Sequence, residues 1–187
     1  VQFLCSGAWF YGGFGSRNDP AGIGWVQLAG GSRARLLHLA ERAQQAGVEA
    51  IALDHKPYGK NREAFERDID NLLVLRNIEI VVLAGFMRVL TPFFVNAWKH
   101  RLLNIHPSLL PKFPGTNTHA RALEAGESEH GCTVHLVVEE VDSGQILGQA
   151  RMPILASDTP ETLAERVLAL EHELYPRCLA EFARGLS

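Results

Sequence analysis

The stretch Leu102-Leu103-Asn104-Ile105-His106-Pro107-Ser108-Leu109-Leu110-Pro111-Lys112-Phe113-Pro114-Gly115-Thr116-Asn117-Thr118-His119 sets the reading of this 187-residue chain. It begins as a short apolar strand, expected over Arg101 to Ile105, and breaks at once into a loop holding three prolines. Side chains alternate between faces along a strand, so Asn104 and His106, two apart, share a side. Pro107, Pro111 and Pro114 each fix φ and withdraw a backbone donor, which pre-orders the loop. Stiff loops at the carboxyl ends of strands are where open α/β sheets hold ligands. A lone Asn-x-His also suits a strand end with a turn-forming Asn and a His satisfied by backbone groups, so the spacing alone leaves both readings open.

Upstream, Ile78 to Ala84 is apolar except for Glu79 and reads as a parallel strand covered on both faces. Thr91-Pro92 opens a short helix with proline at its first position. Asn61 caps a helix with Phe65, Ile69, Leu72 and Leu73 on its inner face. Val48 to Leu53 reads as a strand, and Ser32 caps a helix running through Gln45 to a stop at Gly47. Strands alternating with helices argue for an α/β fold with an open, mostly parallel sheet. Its ligand site belongs beyond the carboxyl ends of the strands, where Gly85 to Leu90 and Asn104 to Gly115 both fall.

Downstream, Thr118 to Glu124 reads as a helix ending before Gly126. Cys132 to Glu140 alternates, with Cys132, Val134, Leu136 and Val138 on one face and Thr133, His135, Val137 and Glu139 on a polar face. Val141-Asp142-Ser143-Gly144 then turns the chain into Gln145 to Leu155, an antiparallel hairpin. A long last helix starts at Thr159-Pro160, with Leu163, Val167, Leu170, Leu174 and Cys178 as its apolar stripe and a kink expected at Pro176.

The N-terminus is less regular. Val1 to Cys5 reads as a strand and Trp25 to Leu28 as the next, with Gly12-Gly13-Phe14-Gly15-Ser16-Arg17-Asn18 between them. Such a loop can turn backbone N–H groups to a phosphate, or simply be a flexible loop. Arg17 to Trp25 is shorter than the roughly dozen residues a parallel crossover needs. Either this edge is built differently or the N-terminal sequence is not the natural one.

Composition excludes several classes. A net charge of -3 offers no general attraction to nucleic acid or anionic membrane. Cys5, Cys132 and Cys178 are widely spaced and form neither a disulfide framework nor a zinc site, and no metal is expected. No apolar run nears the ~20 residues of a spanning helix. The expectation is one cytoplasmic domain over residues 1–187, monomer or homodimer, acting on small molecules.

The segment Asn104 to His119 resembles the signature of the folate-dependent formyltransferases, and within them those that act on glycinamide ribonucleotide. Val81 to Leu90, His130-Gly131-Cys132-Thr133-Val134-His135 and Val141 to Gly144 extend the resemblance on either side. It implies a Rossmann-like formyltransferase fold, with a nucleotide-binding half (about 1–100) and a folate-binding, catalytic half (about 101–187). It implies 10-formyltetrahydrofolate as co-substrate, glycinamide ribonucleotide as acceptor and a place in purine synthesis. The catalytic trio it implies is Asn104, His106 and Asp142, supported by His135. Folate contacts would come from Arg62, Met87, Arg88, Val89, Leu90, Val138, Glu139 and Val141. Nucleotide contacts would come from Gly13, Gly15, Ser16, Arg17, Pro107, Ser108 and Glu171. Arg17 stands where relatives carry Asn, and Asn117 where close relatives often carry His. Hydrolysis of the formyl folate and binding without turnover are the alternative functions. A transfer-RNA formyltransferase usually adds a basic C-terminal domain, which this acidic chain does not show.

Overall fold

The computed structural model describes residues 2–5, 26–29, 49–84 and 88–185. The glycine loop with Gly13, Gly15, Ser16 and Arg17, the helix expected over Ser32 to Gln45, and Met87 all lie outside the described residues. The chain forms two compact units that divide between Leu102 and Leu103.

In the first unit four parallel strands, β1 (Gln2–Cys5), β2 (Val26–Ala29), β3 (Glu49–Ala52) and β4 (Val81–Ala84), lie in the order β3-β2-β1-β4. Leu4 of β1 stands opposite Leu28 on one side and Leu83 on the other. Strands β1 and β2 pair in parallel, and the segment between them lies outside the described residues. In this order the chain reverses direction across the sheet at β1, so a ligand crevice is expected at the carboxyl ends of β1 and β4.

Helix α1 (Arg62–Leu75) begins as expected, with the Asn61 side chain accepting from the Ala64 amide at 3.0 Å. Phe65, Ile69 and Leu73 are buried, and so is Glu66; Leu72 is only half-buried. Strand β4 starts at Val81 and not at Ile78. Asn77 (φ 51°) turns the chain in the left-handed region, and the Ile78 amide closes the helix end on the Leu73 carbonyl. Ile78 and Ile80 are buried all the same. Helix α2 (Pro92–Ala97) follows, with Thr91 at its N-cap and Pro92 at its first position.

In the second unit β5 (Leu102–His106, from the dividing point onward), β6 (Glu129–Leu136) and β7 (Ile146–Pro153) are antiparallel. The register sets Asn104 opposite His135 and His106 opposite Thr133. Helix α3 (Thr118–Glu124) ends just before Gly126, whose φ of 66° suits glycine. One expectation needs correction here: strand β6 stops at Leu136 rather than Glu140. Both its faces are covered, and every residue from His130 to Leu136 is buried. The segment Ser108–Leu110 covers the face that carries Thr133, through bonds of Thr133 to Ser108 and Leu110.

Helix α4 (Pro160–Arg184) opens with a capping box between Thr159 and Thr162 and runs through Pro176 as one element. It packs on β6 and β7. A Cβ on Gly148 of β7 would lie 2.6 Å from Cys178 Sγ, so this glycine permits the close approach. The buried row of α4 is Leu163, Val167, Glu171, Leu174 and Cys178, joined by Tyr175 and Leu179. Leu170 is only half-buried. Steps of four from Leu163 reach 171, so a glutamate takes the inward place assigned to Leu170.

Candidate active site

Strand β5 delivers Asn104 and His106 to one side, as the period of two demands, and β6 brings His135 beside Asn104. Asp142, in the turn between β6 and β7, holds a left-handed backbone (φ 54°) and directs its carboxylate back over both histidines. Its Oδ2 lies 3.4 Å from His106 Nδ1 and its Oδ1 lies 3.6 Å from His135 Nε2. Gly115 N donates to Oδ2 at 2.8 Å, tying the proline loop to the same carboxylate.

The hydrogen bonds assign chemistry to each ring. His106 Nε2 is 2.9 Å from the Phe113 carbonyl, while Nδ1 faces Asp142. Both neighbours are acceptors, and an imidazolium that donates from both nitrogens fits them. His135 is different. Its Nδ1 is 2.9 Å from the Leu136 carbonyl and must donate, which leaves Nε2 to accept from the Asn104 amide nitrogen at 3.3 Å. Burial holds the His135 pKa below the ordinary histidine value, opposed by the Leu136 carbonyl and then by the Asp142 charge. A neutral His135 thus orients the Asn104 amide, whose second N–H meets no partner among the described residues. Side by side stand a neutral N–H donor, an imidazole with two donor positions and a carboxylate. This set can stabilise a carbonyl oxygen as it becomes an anion and can pass a proton.

A second tier holds this arrangement. Ser108 Oγ donates to the carbonyls of Lys112 (2.7 Å) and Phe113 (3.3 Å). Thr133 Oγ1 donates to the Ser108 carbonyl at 2.6 Å and accepts from Leu110 N and Gln149 Nε2. Farther along the loop, His119 Nδ1 lies 3.1 Å from His130 Nε2. Burial first, then the charge of His130, lowers His119 to about 4, so it is neutral at physiological pH. His119 thus joins helix α3 to β6 through the buried His130.

Of the remaining predicted site residues in this unit, Pro107 is half-buried, and Val138, Glu139 and Val141 are exposed on the turn before β7. Glu171 is 8% exposed, and burial raises its carboxyl pKa to about 7. No hydrogen bond or ion pair joins it to the trio among the described residues. Its charge acts on Cys132, whose thiol is pushed up to about 12, mainly by burial. In the first unit, Arg62 Nη1 donates to the Val89 carbonyl at 3.1 Å; Arg88 and Leu90 are half-buried and Val89 is exposed. The roles of Phe113 and Gly115 were not foreseen, although the aromatic-Pro-Gly sequence marks a turn. Among the described residues no group of three His, Cys, Asp or Glu side chains is placed to hold a metal ion, and no helix is long and apolar enough to cross a membrane.

The chain belongs to the formyl transferase family, whose sequence pattern matches residues 32–179. More narrowly, it is 46% identical over 145 residues to the phosphoribosylglycinamide formyltransferase of Escherichia coli K12, covering 78% of this chain and 68% of that protein. It is 44% identical over 170 residues to the trifunctional purine biosynthetic protein adenosine-3 of Bos taurus, covering 91% of this chain. The chain spans 10–17% of the length of such trifunctional relatives. Among solved structures it is similar to glycinamide ribonucleotide transformylase 1 from Symbiobacterium toebii. That match has a TM-score of 0.79 and 42% identity, over 86% of this chain and 74% of that one.

Proposed function

We propose that this protein transfers the formyl group of 10-formyltetrahydrofolate to the amine of glycinamide ribonucleotide. The observation that carries the reading is the convergence of Asn104, His106, Asp142 and His135, with every ring nitrogen committed to a partner. In the reaction the acceptor amine bonds to the formyl carbon, and the carbonyl oxygen becomes an anion. The carbon's bond to the folate nitrogen then breaks, while the amine gives up a proton and the folate nitrogen takes one. Asn104 donates its second N–H to the oxyanion. His106 supplies positive charge and a proton beside it, held in orientation by Asp142 and the Phe113 carbonyl. His135 acts through Asn104.

Formyl folate is assigned to Arg62, Met87, Arg88, Val89 and Leu90, with Val138, Glu139 and Val141 as further contacts. The ribonucleotide is assigned to Gly13, Gly15, Ser16, Arg17, Pro107, Ser108 and Glu171. The family match over residues 32–179 supports the assignments that fall within it, while those of Gly13, Gly15, Ser16 and Arg17 rest on the likeness of the glycine loop alone. The reaction serves purine synthesis in the cytoplasm, on small-molecule substrates and without a metal. The test is absorbance-monitored release of the deformylated folate with and without glycinamide ribonucleotide. Release that requires the ribonucleotide is expected; equal release without it would identify a hydrolase, and none at all a binding protein.

A further inference from the structure

Arg62, Phe65 and Glu66 lie within little more than one turn of α1, and all three meet the segment that leaves β4. Arg62 holds the Val89 carbonyl, and the Arg88 guanidinium lies 5.7 Å from the centre of the Phe65 ring. Both carboxylate oxygens of Glu66 accept from the Thr91 amide at 3.1 Å, and Oε2 also accepts from the Thr91 hydroxyl. Glu66 is 3% exposed. Packing alone would favour an apolar side chain there, since a carboxylate is costly to bury and must be met by donors.

The behaviour of Thr91 shows what this carboxylate holds. A threonine at an N-cap ordinarily turns its oxygen to the first amides of its own helix. Thr91 makes no such cap bond to α2; its hydroxyl and its amide both donate to Glu66. The end of the segment is thus fixed to α1. The segment lies beyond the carboxyl end of β4, beside β1, where the strand order predicts a ligand crevice.

We propose that Glu66 is a positioning residue for formyl folate: it anchors Thr91 as Arg62 anchors Val89, and so fixes the backbone of Arg88 to Leu90 for the ligand. This inference rests on the folate reading proposed above. Glu66→Gln keeps the shape but sets an amide donor against donors. Calorimetric affinity for 10-formyl-5,8-dideazafolate should fall about tenfold, and KM for the formyl folate should rise to match. KM for glycinamide ribonucleotide and kcat should stay within about twofold, a split that a general loss of stability would not produce. Thr91→Ser retains both donors and should bind the dideazafolate like the wild type. Thr91→Val should weaken binding about threefold alone and add little to Glu66→Gln, because the two share one interaction.

Unchanged dideazafolate affinity in folded Glu66→Gln overturns the proposal, as does an equal loss for both substrates. If Glu66→Gln does not fold, the threonine pair decides: weaker binding for Thr91→Val but not Thr91→Ser supports the anchor, and no difference between them overturns it. A wild-type protein that fails to bind the dideazafolate overturns the folate reading and this inference with it. That result is distinct from normal wild-type binding that the variants leave intact.

Discussion

Glu171 allows a prediction worked from the structure alone. Its carboxyl occupies the buried row of α4, and burial raises its pKa from 4.5 to about 7. A group whose folded pKa lies above its unfolded value favours the folded state most at low pH. That advantage drains away as pH rises from the unfolded pKa through the folded one. Between pH 5 and pH 8 the wild type should therefore lose about 2 to 3 kcal/mol of stability at this one site, at 1.36 kcal/mol per pKa unit. Glu171→Gln keeps the shape and cannot ionise. The variant should become more stable relative to the wild type by that amount over this range, whatever constant offset separates the two at pH 5. Urea unfolding of both proteins at half-unit steps from pH 5 to 8, without ligand, gives the difference directly. In thermal melts it corresponds to roughly 5–10 °C for a chain of this size. Parallel stability curves would falsify the reasoning, since they would mean the carboxylate is fully charged in the folded protein and met by water or a cation.

Three further outcomes are expected. Asn104→Ala removes the oxyanion donor and should lower turnover about 10²–10³-fold; turnover near that of the wild type would end the oxyanion role. Thr133→Val preserves the side-chain shape but unpairs the Ser108 carbonyl, the Leu110 amide and one Gln149 donor, and should cost about 2–4 kcal/mol in urea unfolding; a loss within about 0.5 kcal/mol would show that the loop does not depend on that hydroxyl. Gly148→Ala drives a methyl against Cys178 Sγ and should cost about 1–3 kcal/mol. The double variant with Cys178→Ala should recover part of that loss, and simple addition of the two single losses would argue against the contact.

Some of the site was legible because it depends on neighbours along the chain. The period of two put Asn104 and His106 on one side. The residues Asn61, Thr159 and Pro160 announced the helix starts the structure shows, because caps and first turns are local chemistry. The continuous apolar run before Ala84 marked a strand covered on both faces.

The misreadings share a different origin. Glu171 was assigned to the ribonucleotide on the resemblance alone, since a glutamate on a helix ordinarily faces solvent, and the structure places it in the buried row of α4. His135 was placed on the polar face of its strand, and alternation shows which residues share a face but not what covers that face. The loop from Ser108 to Leu110 covers it, and only the register of β5 against β6 sets His135 against Asn104. Likewise Glu66 and Thr91 stand 25 residues apart and meet through the packing of α1.

The sequence by itself thus determined the alternation of strands and helices from Val48 onward, though not their ends, together with the family and the residue types of the chemistry, since these reside in local periodicity and in an unbroken motif. The tertiary structure alone decided the working state of each group. It set which nitrogen of His135 accepts, that both nitrogens of His106 face oxygen, and that Glu171 and Glu66 are buried. Ionisation and hydrogen-bond direction depend on the solvent a group loses and the partners it gains, and distant parts of the chain supply both.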